Sequence, residues 1–297
     1  MISHAVILAS ASAPDLRTLD RLAAEVGRHG VADVQIVADG RLPPLEGQAF
    51  LIDGAGPLDI NLWDLALAAG GGSAMAVSPS GLSGGVAVAD AALQRSLGRA
   101  EGAVFDRLSA MPDLTRRIYD RPAFSADRVR GAVIFDRDGV LNEDTEYPYR
   151  PDHIVWTPTA KAAVKAVNDA GLLAFVATNQ SGVARGFYGE QDVIDLHAWM
   201  NRELIAAGAH IDAFEHSPFH PEGTVEAYRR DSDCRKPGPG MLLRLIEGHG
   251  VDRRRTIMIG DRPGDVAAGV AAGVEGLLFE GGDLAAFLAP VIARLRD

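Results

Sequence analysis

Ala132-Val133-Ile134-Phe135-Asp136-Arg137-Asp138-Gly139-Val140-Leu141-Asn142 is a short apolar run that leads directly into two aspartates and a glycine. A run of that length, closed by a turn signal, reads as a buried strand. Carboxylates at i and i+2 face the same side as the chain leaves the strand, and Gly139 permits a sharp turn. Such a pair suits either a hard cation such as Mg²⁺ or a nucleophile beside a general acid. The rest of the chain after residue 125 repeats the pattern. Strands are expected at 131–136, 172–178, 213–218, 256–260 and 276–279. Amphipathic segments fall at 159–170, 190–207, 241–247, 265–272 and 284–295. Thr157-Pro158 reads as an N-cap followed by a proline at the first helical position. Apolar strands joined by helical crossovers predict an α/β fold, a Rossmann-like parallel sheet with helices on both faces. Ligands in such sheets bind beyond the carboxyl ends of the strands.

Those ends carry polar groups. The second strand runs into Thr178-Asn179-Gln180-Ser181-Gly182, whose hydroxyls, amides and glycine can hold phosphoryl oxygens. Arg185 offers a planar fork to a second anion. Arg235-Lys236-Pro237-Gly238-Pro239-Gly240 brings two cations before a proline-defined helix start, and a fixed lysine can neutralise charge on a transferring phosphoryl group. The strand at 256–260 ends in Gly260-Asp261-Arg262-Pro263-Gly264-Asp265. There Asp261 can complete a cation site, with Asp265 as a first-turn charge or secondary support.

Taken in order, these strings resemble the four motifs of the haloacid dehalogenase-like (HAD) phosphohydrolase superfamily. The longer strings Asp136–Asn142, Thr178–Gly186, Cys234–Pro237 and Pro239–Leu242 are similar to its heptose 1,7-bisphosphate phosphatases, over roughly residues 130–280. The histidinol-phosphatase relatives share Arg-Lys-Pro but typically carry Asp where Ser181 stands. The resemblance implies that Asp136 attacks phosphorus and forms an aspartyl-phosphate. It implies that Asp138 protonates the departing sugar oxygen and later takes a proton from the attacking water. Thr178 and Lys236 would hold the phosphoryl oxygens, and Mg²⁺ would be bound by Asp136, Asp261 and the backbone carbonyl of Asp138. Sugar and distal-phosphate contacts fall on Asp144, Thr145, Glu146, Tyr147, Asn179, Gln180, Ser181, Arg235 and Arg262. The family commonly binds structural zinc through a Cys-x-His and a later Cys-x-Cys pair. Here those positions read Ser217-Pro218-Phe219 and Ser232-Asp233-Cys234, so zinc is not expected, and His216, His220 and Cys234 are the alternative ligands. The rival functions are a histidinol-phosphate or other small phosphomonoester phosphatase, a non-catalytic scaffold that binds a sugar phosphate, and a bifunctional enzyme that also transfers nucleotides.

Residues 1–125 are richer in Ala and Gly and read as a second α/β domain, with 126–297 as the phosphatase domain. Strands are expected at 4–8, 34–38, 50–53, 74–78 and 85–89, a helix at 15–29, and a connector at 120–125. The pattern resembles a sugar-nucleotidyltransferase domain in degenerate form. Ser10-Ala11-Ser12-Ala13-Pro14-Asp15 stands where the Gly-rich nucleotide loop belongs, and Ala55 takes the expected metal-aspartate position. Catalytic roles for Asp53 or Asp59 are not expected. Acidic residues outnumber basic ones, 40 against 29, for a net charge of −11 over 297 residues, which argues against general nucleic-acid or anionic-membrane binding. The remaining partner is a small phosphorylated sugar. A single cysteine excludes an intrachain disulfide, and no run of 18 apolar residues exists. The stretch 5–13 lacks the basic flank of a signal peptide and reads as a first strand, so a cytoplasmic location is expected.

Overall fold

The computed structural model describes every residue of 129–296. Before that it describes residues 2, 4–8, 19, 23, 26, 31–37, 47–53, 61–70, 72–77, 83–89, 93, 94, 97, 108, 111 and 114–118. The chain divides into two compact units, Met1–Arg128 and Val129–Asp297.

The first unit contains β1 (His4–Leu8), β2 (Asp33–Val37), β3 (Ala49–Asp53), α1 (Leu62–Ala69), β4 (Ala74–Val77), β5 (Ser83–Ala89) and β6 (Thr115–Ile118). They form a mixed sheet in the order β2-β1-β3-β5-β4-β6, in which β5 runs antiparallel to β3 and β4. β1 lies between β2 and β3, and its Ala5, Val6 and Ile7 are buried, as a strand covered on both faces requires. Asn61 caps α1 by accepting from the Asp64 amide at 3.2 Å. β6, Thr-Arg-Arg-Ile, lacks any apolar alternation that the sequence reading could use. Among the described residues it pairs with β4, in parallel, at the edge of the sheet. Of the helix expected at 15–29, Leu19, Ala23 and Val26 are described and helical, with Leu19 and Val26 buried. The loop 10–15, Ala55, Asp59 and the connector 120–125 lie outside the described residues.

In the second unit β7 (Ala132–Phe135), α2 (Ala160–Asp169), β8 (Leu173–Asn179), α3 (Ser181–Ala184), α4 (Glu190–Ile205) and β9 (Ala213–Ser217) come first. α5 (Gly240–His249), β10 (Thr256–Gly260), α6 (Pro263–Ala271), β11 (Glu275–Leu278) and α7 (Leu284–Arg296) follow. All five strands are parallel, in the order β11-β10-β7-β8-β9. Successive side chains of a strand point to opposite faces. Val133 and Phe135 therefore pack with Val164, Leu196 and Leu288 of α2, α4 and α7, while Ala132 and Ile134 pack with Leu242, Leu245 and Ala268 of α5 and α6. The chain proceeds from β7 toward β8 on one side and returns to β10 on the other. The order reverses beside β7, where such sheets open a crevice at the carboxyl ends.

The helix start near residue 158 is a correction. α2 begins at Ala160, and Thr159, with φ +60, stands at the cap position without a side-chain cap bond. Thr157 instead donates its hydroxyl to the Val140 carbonyl. Thr159 donates to Asp283 at 2.5 Å and accepts from the Ala285 amide at 3.0 Å, tying the start of α2 to the start of α7.

Candidate active site

Asp136 follows β7 directly, and its amide donates to the Ile259 carbonyl of β10 at 2.8 Å. That bond sets the aspartate at the strand end. Its Oδ1 accepts from the Arg137 amide at 2.7 Å and lies 2.9 Å from Lys236 Nζ. Lys236 also pairs with Asp265 at 2.6 Å, and the ammonium is buried. Asn179 fastens this lysine, donating from Nδ2 to its carbonyl and accepting from its amide at Oδ1, both at 3.0 Å. Burial pushes the Asp136 carboxyl up to about 7. Asp265 and Asp138 push in the same direction, and Lys236 opposes them.

Asp138 is held by a side chain that the sequence reading passed over. Arg137 is fully buried and grips the Asp138 carboxylate bidentately, Nε to Oδ1 at 3.0 Å and Nη2 to Oδ2 at 2.9 Å. Asn142 adds a third donor to Oδ1 at 2.9 Å, and Gln180 a fourth to Oδ2 at 3.0 Å. The other hydrogen of the Gln180 amide goes to Thr178 Oγ1 at 2.9 Å. The Gln180 oxygen accepts from Arg137 at 3.1 Å and from the Tyr188 hydroxyl at 2.9 Å. Burial pushes the Tyr188 phenol up to about 12, so it stays a donor, and its ring stacks on Tyr149. Gly182 leaves room for that ring, where a Cβ would collide with it. The sequence signal for Arg137 was its place inside the D-x-D, and Tyr188 has none beyond an aromatic in a glycine-flanked loop.

Asp261 follows β10. Carboxylate oxygens of Asp136, Asp261 and Asp265 lie within 4.8 Å of one another. Gly139, with φ +85, makes this approach possible, since a Cβ there would run into the Asp261 carboxylate. Asp261 Oδ1 is buried without a hydrogen-bond partner, and burial followed by Asp265 raises its pKa. Lys236 pairs with Asp136 and Asp265, and Arg262 approaches Asp261 only at 3.8 Å, so three carboxylates against these two cations leave an excess of negative charge. An oxygen-donor set with that excess fits a hard divalent cation such as Mg²⁺. Asp265 is less available than the other two, because Lys236 takes its Oδ1 at 2.6 Å and the Arg262 amide its Oδ2 at 3.0 Å, whereas both contacts of Asp136 fall on Oδ1.

A cavity of about 390 Å³ opens beside these groups, and Asp261 is not among the residues that line it. Asp144, Glu146, Tyr147, Asn179, Gln180, Ser181, Arg235 and Arg262 line it, as do Asp136, Asp138, Thr178, Lys236, Asp265 and Tyr188. Two expected contacts lie elsewhere. Thr145 is exposed, with its hydroxyl toward the His153 carbonyl at 3.3 Å, and Arg185 faces His220 at 3.3 Å. At the mouth, Arg262 pairs with Asp144 at 2.7 Å, and Tyr147 meets Phe187 edge-on at 4.9 Å. Glu146 and Tyr147 both sit at φ +58, a left-handed conformation costly for such residues.

The alternative zinc ligands point to separate partners. His216 pairs with Glu190 at 3.0 Å, and Cys234 accepts from Arg244 at 2.6 Å. The loop 219–235 is fastened by Tyr228 donating to Glu190 at 3.0 Å, Arg235 to the Phe219 carbonyl at 3.3 Å, and Arg230 over the Phe219 ring.

Comparison with known proteins covers the same region. The HAD-hydrolase-like family model matches residues 233–286. A D-glycero-beta-D-manno-heptose-1,7-bisphosphate 7-phosphatase of Rhodopseudomonas palustris is 45% identical over 167 residues, which are 56% of this chain and 93% of the relative. A D-glycero-alpha-D-manno-heptose-1,7-bisphosphate 7-phosphatase of Burkholderia mallei is 36% identical over 143 residues, covering 48% of this chain and 76% of the relative. A crystal structure of a HAD-like phosphatase from Mesorhizobium loti is similar with a TM-score of 0.52 and 31% identity, over 57% of this chain and 87% of that one.

Proposed function

From the premise that this chain belongs to the HAD-like phosphatase family, we propose that it hydrolyses the 7-phosphate of D-glycero-D-manno-heptose 1,7-bisphosphate. The observation that carries the reading is the pairing of two unlike carboxylates at the end of β7. Asp136 lies against a buried ammonium, and Asp138 lies in a cage of four donors.

Asp136 attacks phosphorus, the phosphorus–oxygen bond to the sugar breaks, and an aspartyl-phosphate forms. Asp138 gives its proton to the departing oxygen. Water then attacks the intermediate, Asp138 takes back a proton, and phosphate leaves with Asp136 restored. The first step uses the protonated acid and the second the carboxylate, and the four surrounding donors hold the group in place for both. Lys236 and Thr178 meet the phosphoryl oxygens. Mg²⁺, held by Asp136, Asp261 and the Asp138 carbonyl, supplies charge neutralisation between an anionic nucleophile and an anionic ester when bound.

Arg235, Arg262, Asp144, Glu146 and Tyr147 receive the rest of the substrate. Two cations there suit a second phosphate, the feature that separates a bisphosphate from a simple monoester. The location that accompanies this substrate class is cytoplasmic. The first unit is read as a degenerate nucleotidyltransferase-like domain without nucleotide chemistry, and its mixed α/β sheet is compatible with that reading. Phosphate release from both heptose bisphosphate anomers and from histidinol phosphate tests the proposal. The β anomer is expected to be preferred, as the 45% identical relative is named for it. Preference for histidinol phosphate would overturn the substrate, and no release from any of them would overturn the activity.

A further inference from the structure

Every hydrogen-bonding capacity of the Gln180 side chain is used inside the protein. The residue lines the cavity, yet it is buried, and its oxygen accepts from Arg137 and Tyr188 while its nitrogen donates to Asp138 and Thr178. This spends both acceptor sites and both hydrogens of a primary amide. Nothing on that side chain is left to bind a sugar.

The direction of the amide is dictated by its neighbours. A guanidinium can only donate, so the group facing Arg137 Nη2, which also serves Asp138 and the Pro148 carbonyl, is the Gln180 oxygen. The nitrogen then faces Asp138 and Thr178. Thr178 Oγ1 receives a hydrogen from Gln180, which leaves its own proton for an acceptor in the cavity. The geometry points to Gln180 as a positioning residue that, oriented by Arg137, holds the Thr178 hydroxyl as a donor toward the transferring phosphoryl group and secures the Asp138 carboxylate in the same stroke. This inference rests on the phosphatase reading above. It differs from the substrate-binding role that the sequence suggests for Gln180.

Gln180→Glu reverses one arm of the amide at nearly constant size. The new side chain still accepts from Arg137 and Tyr188, but its second oxygen confronts Asp138 and captures the Thr178 proton. Loss of one preorganised donor to a developing oxyanion lowers kcat by roughly 100- to 1,000-fold, so a fall of at least about 100-fold with a much smaller change in KM is expected. Circular dichroism and thermal melting of the full chain check that the variant is folded. If it does not fold, Gln180→Met, unbranched and of similar length, carries the test with a kcat loss of at least about tenfold expected.

Thr178→Val removes the hydroxyl outright. If Gln180 acts through that hydroxyl, the double variant Thr178→Val with Gln180→Glu loses far less than the product of the two single losses. Folded single variants within about threefold of wild-type kcat, or single losses that multiply, would overturn the inference alone. A folded wild type inert toward every phosphomonoester would refute the phosphatase reading and this inference with it.

Discussion

Protons and magnesium compete for the same buried carboxylate, and the strength of that competition follows from the site. Asp136 is raised from an ordinary value of 3.8 to about 7, chiefly by burial. Bound metal requires the ionised form, so below that value the apparent Mg²⁺ affinity falls roughly tenfold per pH unit. Between pH 8 and pH 5 the weakening amounts to about 100-fold, or about 2.8 kcal/mol. A carboxyl left at 3.8 would change the affinity by less than about 10% over the same window. Asp261 is raised as well and acts in the same direction. Without metal the same group destabilises the fold at neutral pH. A carboxyl whose folded pKa exceeds its unfolded value binds more protons folded than unfolded between the two. Its contribution to stability therefore declines as pH rises from about 4 to about 7. Calorimetric titration with Mg²⁺ across this range, in buffers of different ionisation enthalpy, measures both the affinity and the proton released. Melting with and without a chelator measures the stability. An Mg²⁺ affinity at pH 5 within about threefold of that at pH 8 would refute the reasoning.

Two substitutions probe the remaining elements. Asp136→Asn should lower turnover by at least about 10⁴-fold while the protein stays folded, because the attacking carboxylate and a metal ligand disappear together. Near-normal phosphate release from that variant would sink the nucleophile assignment. Gly139→Ala should cost about 1–2 kcal/mol in denaturant unfolding, since its φ of +85 disfavours a side chain. It should also weaken Mg²⁺ binding, because the new methyl displaces Asp261. Unchanged stability together with unchanged metal affinity would show that the turn has another arrangement.

The residues legible in the sequence are those fixed by the period of the elements. Asp136, Thr178 and Asp261 each stand at or just beyond the carboxyl end of a strand of alternating or continuous apolar character, and Lys236 stands just before a proline-marked helix start. Direction was the hidden quantity. Asn179 and Gln180 look like ready donors in a loop, but their amides are turned inward by Lys236 and Arg137, which lie 57 and 43 residues away. Local sequence holds no trace of such partners. Arg137 was obscured for a related reason. A charged side chain at a strand end suggests solvent, and its bonds to Asp138, the Pro148 carbonyl and Gln180 make its complete burial tolerable. Thr157-Pro158 carries a sound capping signal, yet the Val140 carbonyl competes for the threonine hydroxyl. β6 shows the limit from the other side, because its two arginines conceal a strand whose partner is supplied by the sheet edge.

The place of β7 in the middle of its sheet has a bearing on how the protein moves. Both edges of the strand are hydrogen-bonded and both faces are covered, so its amide protons reach water only when the whole unit unfolds. Asp136, proposed as the nucleophile, is therefore mounted on a strand whose amides are expected to be among the slowest to exchange in its unit. The segment 144–147 is exposed and contains two residues in a left-handed conformation, so it belongs to the part that opens at little cost. On the proposed reading, substrate enters and product leaves at that mouth while Asp136 stays fixed to a core strand.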